Sequence, residues 1–229
     1  MAVDHSSILV VAAHPDDEAL GCGGTLHRHR LAGAQVRVLF LADGETARAT
    51  ADAEAMSRRL AMAEKAAASM GGITVRMAGF PDNRLDSIDM LDLAQTVEDE
   101  IASSAPSLVY THHAGDLNID HRRAHQAVMT ACRPIAGRSV REIRCFEVPS
   151  STEWAGPGLG PAFEPTLFVG LDAEALAAKR AAFDAYAAEM RDPPHPRSWE
   201  AIEALATLRG AAAGMPRAEA FTVPRRLVP

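Results

Sequence analysis

Apolar and polar residues fall in blocks along most of this chain rather than in simple alternation. Residues 8–13, Ile8-Leu9-Val10-Val11-Ala12-Ala13, form an unbroken apolar run bounded by polar positions, which predicts a fully buried strand. A helix is predicted over 19–32 with Gly33 as its stop, then a strand over 35–41. A long Ala/Met/Leu-rich helix over 51–70 is closed by Gly71-Gly72, and a third strand covers 73–77. After a loop at 79–84 come a helix over 89–104, a strand over 107–111, a polar stretch at 112–121 and a helix to about 132. Strands alternating with helices of ten or more residues imply βαβ units. The fold expected is a Rossmann-like three-layer α/β sandwich with a mainly parallel sheet. Beyond Gly137 the pattern loosens: strands at 142–148 and 166–170 flank a Gly/Pro-rich loop, 155–161, followed by helices over 172–190 and 199–209 and a strand near 219–223. With no repeat, low-complexity tract or linker, residues 1–229 read as one domain, 1–136 forming the core βαβ units and 137–229 completing the sheet and pocket.

The polar residues matter most where the strands stop. The first apolar run ends in His14-Pro15-Asp16-Asp17-Glu18, and three adjacent carboxylates at a strand terminus need a positive charge. A divalent cation supplies it, and a histidine beside two Asp suits such an ion. An acidic helix start explains one or two acids but neither the histidine nor the density. Three further clusters also follow predicted strands: Asp43-Gly44-Glu45, Asp82-Asn83-Arg84, and the stretch from His112 to His121. Ligands of open parallel sheets bind at the carboxyl ends of the strands, so the four clusters predict one active-site rim. His121 and His125 are spaced i, i+4, and Asp116 and Asp120 are both candidates to orient a ligating histidine through its second nitrogen. Gly21-Cys22-Gly23-Gly24 is not the Gly-x-Gly-x-x-Gly of dinucleotide sites, and the carboxylates before it would repel a pyrophosphate; tight helix–sheet packing explains these glycines.

Composition narrows the picture further. With 48% hydrophobic and 23% charged residues the chain is ordinary for a soluble globular protein. The net charge of −7, without a basic patch interleaved with aromatics, argues against nucleic acid and anionic membranes as partners. No targeting segment or membrane span is evident, and Cys22, Cys132 and Cys145 lack both CxxC spacing and an even count. The expectation is a cytoplasmic protein without disulfides or stable membrane insertion, for which a homo-oligomer is compatible.

His14-Pro15-Asp16-Asp17-Glu18 together with Asp116-Leu117-Asn118-Ile119-Asp120-His121 resembles the PIG-L/LmbE family of zinc-dependent N-deacetylases, whose members act on N-acetylglucosaminyl-phosphatidylinositol and on thiol-sugar precursors. The likeness runs from the first strand past His121. It implies a catalytic divalent ion, one per chain, on His14, Asp17 and His121, zinc first and Fe(II) or another metal as alternatives. It implies Asp16 as general base and an N-acetylglucosamine-type amino sugar as the small-molecule substrate. Two imidazoles and a carboxylate agree with a catalytic zinc, which keeps positions open for water and substrate.

One departure carries a consequence. Many members have a histidine, acting as acid or oxyanion stabiliser, where this chain has Asn118. An amide can donate to an oxyanion but cannot protonate a leaving amine. Either Asp16 returns the proton it takes, or His113 at the same strand end or His195 in the proline-flanked 193–198 stretch substitutes. Asp43, Glu45, Asp82, Asn83 and Arg84 are candidates for sugar hydroxyls, Arg84 also for a substrate phosphate. Two rival functions are a zinc amidase or esterase on a non-sugar acyl group, and a non-catalytic metal-binding module. A structural site needs no spare carboxylate beside its ligands, so Asp16 speaks against the module.

Overall fold

A computed structural model describes residues 5–47 and 53–228. Seven strands form one sheet: β1 (Ser7–Ala12), β2 (Gln35–Ala42), β3 (Thr74–Phe80), β4 (Leu108–His112), β5 (Glu142–Phe146), β6 (Leu167–Gly170) and β7 (Ala218–Arg226). Their order is β3-β2-β1-β4-β5-β7-β6. The first five run parallel. β7 pairs antiparallel with both β5 and β6, so it is the reversed strand of a mainly parallel sheet. The chain leaves β1 towards β2 and β3, then returns to β4 on the other side of β1. That reversal opens a crevice at the carboxyl ends of β1 and β4.

Helices α1 (Asp17–Leu31), α2 (Ala53–Ser69), α3 (Met90–Ser104), α4 (Ile119–Ala131), α5 (Ala173–Ala185) and α6 (Trp199–Ala212) cover both faces. Along β1, Ile8, Val10 and Ala12 pack with Leu26 of α1, Met70 beyond α2 and Ala182 of α5. Leu9, Val11 and Ala13 pack on the opposite face with Val97 of α3 and Val128 of α4. Both faces of β1 are therefore apolar, which is why it reads as a continuous run rather than an alternating one. Among the described residues no helix is long and apolar enough to cross a membrane.

The predicted elements are present, with shifted ends. β3 runs three residues past its predicted stop, because pairing with β2 resumes at Ala42 and Phe80 beyond an irregularity, and Gly79 takes φ +80. The helix expected over 172–190 ends at Ala185, followed by a 3₁₀ turn at Ala187–Glu189. Tyr186 closes it, its hydroxyl donating to buried Glu18 of α1 at 2.8 Å. Positions 51 and 52 of the helix predicted from 51 lie outside the described residues. The glycines of α1 serve packing: a Cβ on Gly21 would lie 2.3 Å from the Phe146 ring of β5, and one on Gly24 would lie 2.8 Å from Leu171. The three cysteines are buried and free.

At the amino end of β5, remote from the strand carboxyl ends, buried Glu142 accepts from Arg144 Nε at 2.7 Å and lies 3.3 Å from His5 Nε2 and from Arg226 Nε. Burial alone would raise its pKa, but His5 and Arg144 outweigh that and hold it at about 2. The folded value lies below the unfolded one, so this stabilisation is complete above about pH 4.5 and is lost as pH falls towards 2. Glu142→Gln should cost on the order of 2 kcal/mol at pH 7 and flatten the stability curve over that window. Urea unfolding at stepped pH checks this; an unchanged acid limb would show that the pairing contributes nothing.

Candidate functional site

The turn from β1 into α1 sets the site. Asp16 occupies the position before α1 with φ 126, a conformation that costs a non-glycine residue about 1–3 kcal/mol and needs surrounding contacts to persist. Those contacts are present. The Asp16 amide donates to Glu18 Oε2 at 3.1 Å, and Asp16 Oδ2 accepts from Arg197 Nη1 at 2.8 Å. Asp17, the first residue of α1, points the other way, into a nest of three imidazoles. Its Oδ1 lies 3.3 Å from His121 Nε2, and its Oδ2 lies 3.4 Å from both His14 Nδ1 and His112 Nε2. Nearby His14, Asp17 and His121 each offer one ligand atom, and these atoms all lie within 4.8 Å of one another. The family resemblance implied this trio.

The donor set fits a divalent cation. Asp17 Oδ1 and His121 Nε2 are buried without a hydrogen-bond partner, although they face each other. Buried polar atoms are nearly always satisfied, and an ion held between these two would satisfy both. The second nitrogens are also provided for. His121 Nδ1 lies 3.0 Å from Asp116 Oδ1, and Asp116 is itself fixed by the hydroxyls of Ser151 and Thr152, the latter at 2.6 Å. His14 Nε2 lies 3.1 Å from Asp120 Oδ2 and from Asp82 Oδ1. Both predicted orienting carboxylates are thus used, one per histidine, which fixes ring orientation and raises ligand basicity.

The charges at the site answer to burial and to neighbours. Burial drives the Asp16 carboxyl above the usual carboxylate range, against the pull of Arg197. Burial would raise Asp17 as well, but His121 and His112 hold it well below that range. Two adjacent acids are thereby set apart, one suited to gain a proton and one to stay ionised. Burial also pushes Glu18 up to about 8; its contacts to Tyr186 and the Asp16 amide make it a support of the turn.

A cavity of about 120 Å³ opens beside Asp16 and His14. Asp82, Asn83, Asn118, Arg59, Glu189 and Arg197 line it. Asn118 caps α4, its Oδ1 accepting the Asp120 amide at 2.8 Å, while its Nδ2 donates to Asn83 Oδ1 at 3.4 Å. Arg59 of α2 is buried, with Nη1 2.8 Å from Glu189 and Nε 3.6 Å from Glu45. Of the five predicted hydroxyl contacts, Asp82 and Asn83 therefore line the cavity and Glu45 sits behind Arg59. Asp43 spends both oxygens on its own turn, accepting the amides of Glu45 and Thr46 and the Thr46 hydroxyl. Arg84 is exposed and outside the cavity lining.

The two candidate acids are engaged elsewhere. His113 Nε2 bonds the Pro161 carbonyl at 2.8 Å, and the residue lines a second cavity under the 155–163 loop. His195 Nδ1 accepts the Arg197 amide at 3.1 Å and its ring stands against Trp154. The proline-flanked loop does reach the site, but the side chain it delivers to Asp16 is Arg197. His125 turns away from the metal cluster, Nδ1 meeting the His112 carbonyl at 2.9 Å.

Sequence reasoning passed over His112, Arg59, Glu189, Arg197, Ser151 and Thr152. His112 stacks on His121 with ring centroids 3.9 Å apart, and its Nε2 accepts the Ala13 amide at 2.8 Å, so it backs the cluster without a free lone pair for an ion. Its place directly before His113 at the strand end was the one available signal.

The family model described as GlcNAc-PI de-N-acetylase (PIG-L) matches residues 9–132. The uncharacterized deacetylase YaiS of Escherichia coli K12 is 29% identical over 180 residues, covering 76% of this chain and 87% of its own. An N,N′-diacetylchitobiose deacetylase from Pyrococcus horikoshii superposes with TM-score 0.73 at 18% identity, covering 97% of this chain and 85% of that one. The 4-carboxy-2-hydroxymuconate hydratase GalB of Pseudomonas putida superposes nearly as well, TM-score 0.72 at 21% identity over 98% of each chain. Those two likenesses show the fold alone, and the fold hosts more than one reaction. The family match spans β1 through α4, the part that carries both motifs and all three residues of the candidate metal site, and by that match this chain belongs to the PIG-L family of de-N-acetylases.

Proposed function

We propose that this protein is a metal-dependent hydrolase that removes the N-acetyl group from an N-acetylglucosamine-type amino sugar or glycoconjugate, with zinc on His14, Asp17 and His121. The observation that carries the reading is Asp16: a buried carboxylate outside the donor trio, pinned by Arg197 and facing the cavity. A purely structural metal site has no use for it. An ion held by the trio would supply a water of lowered pKa and polarise the amide carbonyl.

The protein's own groups provide the rest. Asp16 takes the proton from the attacking water, and its raised affinity for a proton suits that role. Because neither His113 nor His195 lines this cavity, Asp16 also returns the proton to the departing nitrogen. Arg197 keeps the Asp16 carboxylate turned to the cavity throughout. The Asn118 amide, held by capping α4, donates to the charge that develops on the carbonyl oxygen. Asp82, Asn83 and Arg59 meet sugar hydroxyls at the wall. Acetate release from a panel of N-acetylated sugars tests the proposal. At least one N-acetylglucosamine-type compound should be hydrolysed, activity should vanish with a chelator, and zinc or Fe(II) should restore it. Turnover without acetate, or activity indifferent to the chelator, would refute it.

A further inference from the structure

Three consecutive hydroxyl residues, Ser150-Ser151-Thr152, follow β5. β5 runs parallel beside β4, and the His113 amide donates to the Phe146 carbonyl at 3.1 Å. The segment leaving β5 therefore lies beside the segment leaving β4, which carries Asp116 and His121. There the chain turns tightly. Ser150 adopts φ +69, and the Glu153 carboxylate closes the turn by accepting the Ser150 and Ser151 amides at 2.6 and 3.3 Å. The Leu117 amide donates to the Ser151 carbonyl at 3.4 Å, which ties the turn to the Asp116 loop through the backbone as well.

The three hydroxyls serve two different groups of the site. Ser151 and Thr152 are buried and bond Asp116. Thr152 Oγ1 accepts the Val148 amide at 2.8 Å, which leaves its proton for Asp116 Oδ2 at 2.6 Å. Ser151 Oγ donates to Asp116 Oδ1, which also accepts the Asn118 amide at 2.9 Å. These partners all donate, so the carboxylate only accepts, and His121 Nδ1, 3.0 Å from Oδ1, meets it as a donor. The lone pair of His121 is thereby left on Nε2, the atom that faces Asp17 Oδ1. Ser150 serves the other group. Its Oγ accepts from Arg197 Nε at 2.8 Å, and the same guanidinium donates through Nη1 to Asp16 Oδ2 at 2.8 Å. We propose that this turn is a positioning brace: Ser151 and Thr152 set His121 for the ion through Asp116, and Ser150 sets Asp16 for proton transfer through Arg197. The brace rests on the deacetylase reading, in which His14, Asp17 and His121 hold the metal and Asp16 moves the proton. A turn that merely closed the chain would act as one unit, and loss of any of its hydroxyls would loosen metal and base together or neither.

Zinc affinity, read by competition with a chromophoric chelator, tests the metal arm without turnover. Thr152→Val removes the hydroxyl at nearly constant volume and should weaken zinc binding at least about tenfold, the lower end of the effect of groups that orient a metal ligand. Thr152→Ser should restore most of that affinity. Ser150→Gly removes the hydroxyl from the base arm and suits the positive φ. It should leave zinc affinity within about twofold of wild type and lower kcat about tenfold in zinc-saturated enzyme, with KM little changed, because only the aim of Asp16 is altered. Wild-type zinc affinity in Thr152→Val, equal losses of affinity in Thr152→Val and Ser150→Gly, or full kcat in Ser150→Gly overturns the brace. Should Thr152→Val not fold, Ser151→Ala leaves the Thr152–Val148 bond in place and takes over its part of the test with the same expected direction. If wild type binds zinc but releases acetate from no N-acetylated sugar, the deacetylase reading fails by itself, and the zinc titrations alone uphold or overturn the brace. If wild type binds no zinc, the metal trio fails and the brace with it.

Discussion

Asp17→Ala is expected to empty the metal cluster and abolish turnover, whereas Asp16→Asn is expected to keep the ion and lower kcat by at least about 10²-fold, the usual scale of general acid–base assistance. The two residues are adjacent in sequence but differ in what they touch. Asp17 faces His14, His112 and His121 within 3.3–3.4 Å, and its Oδ1 is one of the orphaned ligand atoms. Asp16 touches no histidine of that group and is held by Arg197. Asparagine at 16 keeps an oxygen that can accept from Arg197, so the turn and its strained backbone persist while the proton-accepting function is lost. Metal content by elemental analysis beside acetate release separates the roles. If Asp16→Asn strips the ion as thoroughly as Asp17→Ala does, the division of labour proposed here is wrong.

The second large effect concerns stability. Lys179 of α5 and Glu219 of β7 form a buried pair, Nζ to Oε1 at 2.5 Å, about 3% and 5% exposed. Both partners also grip α1: Lys179 donates to the Leu20 carbonyl at 2.7 Å, and Glu219 accepts the amides of Gly24 and Thr25 at 3.1 and 2.7 Å. The pair therefore anchors the helix whose first turn carries Asp17 to the last strand of the chain. Glu219→Ala leaves an ammonium buried without its counter-charge and should cost about 3–5 kcal/mol. Replacing both partners, Lys179→Met with Glu219→Gln, removes the unpaired charge while the Gln oxygen still accepts from α1, and should recover most of that loss. Denaturant unfolding of the single and double variants checks this. A single variant within about 1 kcal/mol of wild type would mean that the pair does not hold α1.

Local spacing sufficed for the element order and the strand-end placement of the polar clusters, and the family motifs singled out His14, Asp17 and His121, whose ligand atoms the fold brings within 4.8 Å of one another. A buried parallel strand is a continuous apolar run, and a loop at its carboxyl end must be polar if it binds an ion. The same local logic carried Asp116, five positions before His121, as its orienting acid; Asp120 was a candidate on the same ground, but the fold turns it to His14 instead. Pattern alone could not give the direction of β7, since an apolar run reads the same in both senses; its pairing with β5 and β6 decided it. Nor could it assign Arg197 over His195. The two are two residues apart in one stiff loop, and which of them meets Asp16, some 180 positions away, depends on how the 191–198 backbone is closed by the Arg191–Arg197 and His195–Asp192 bonds. The φ of Asp16, the Ser151–Thr152 clamp on Asp116 and the Arg59–Glu189 contact arise in the same way. The clamp and the Arg59 contact are side-chain meetings between segments far apart in the chain, and the Asp16 backbone is held in part by one such meeting, with Arg197; only the sheet order and the docking of α5 and α6 bring these segments together.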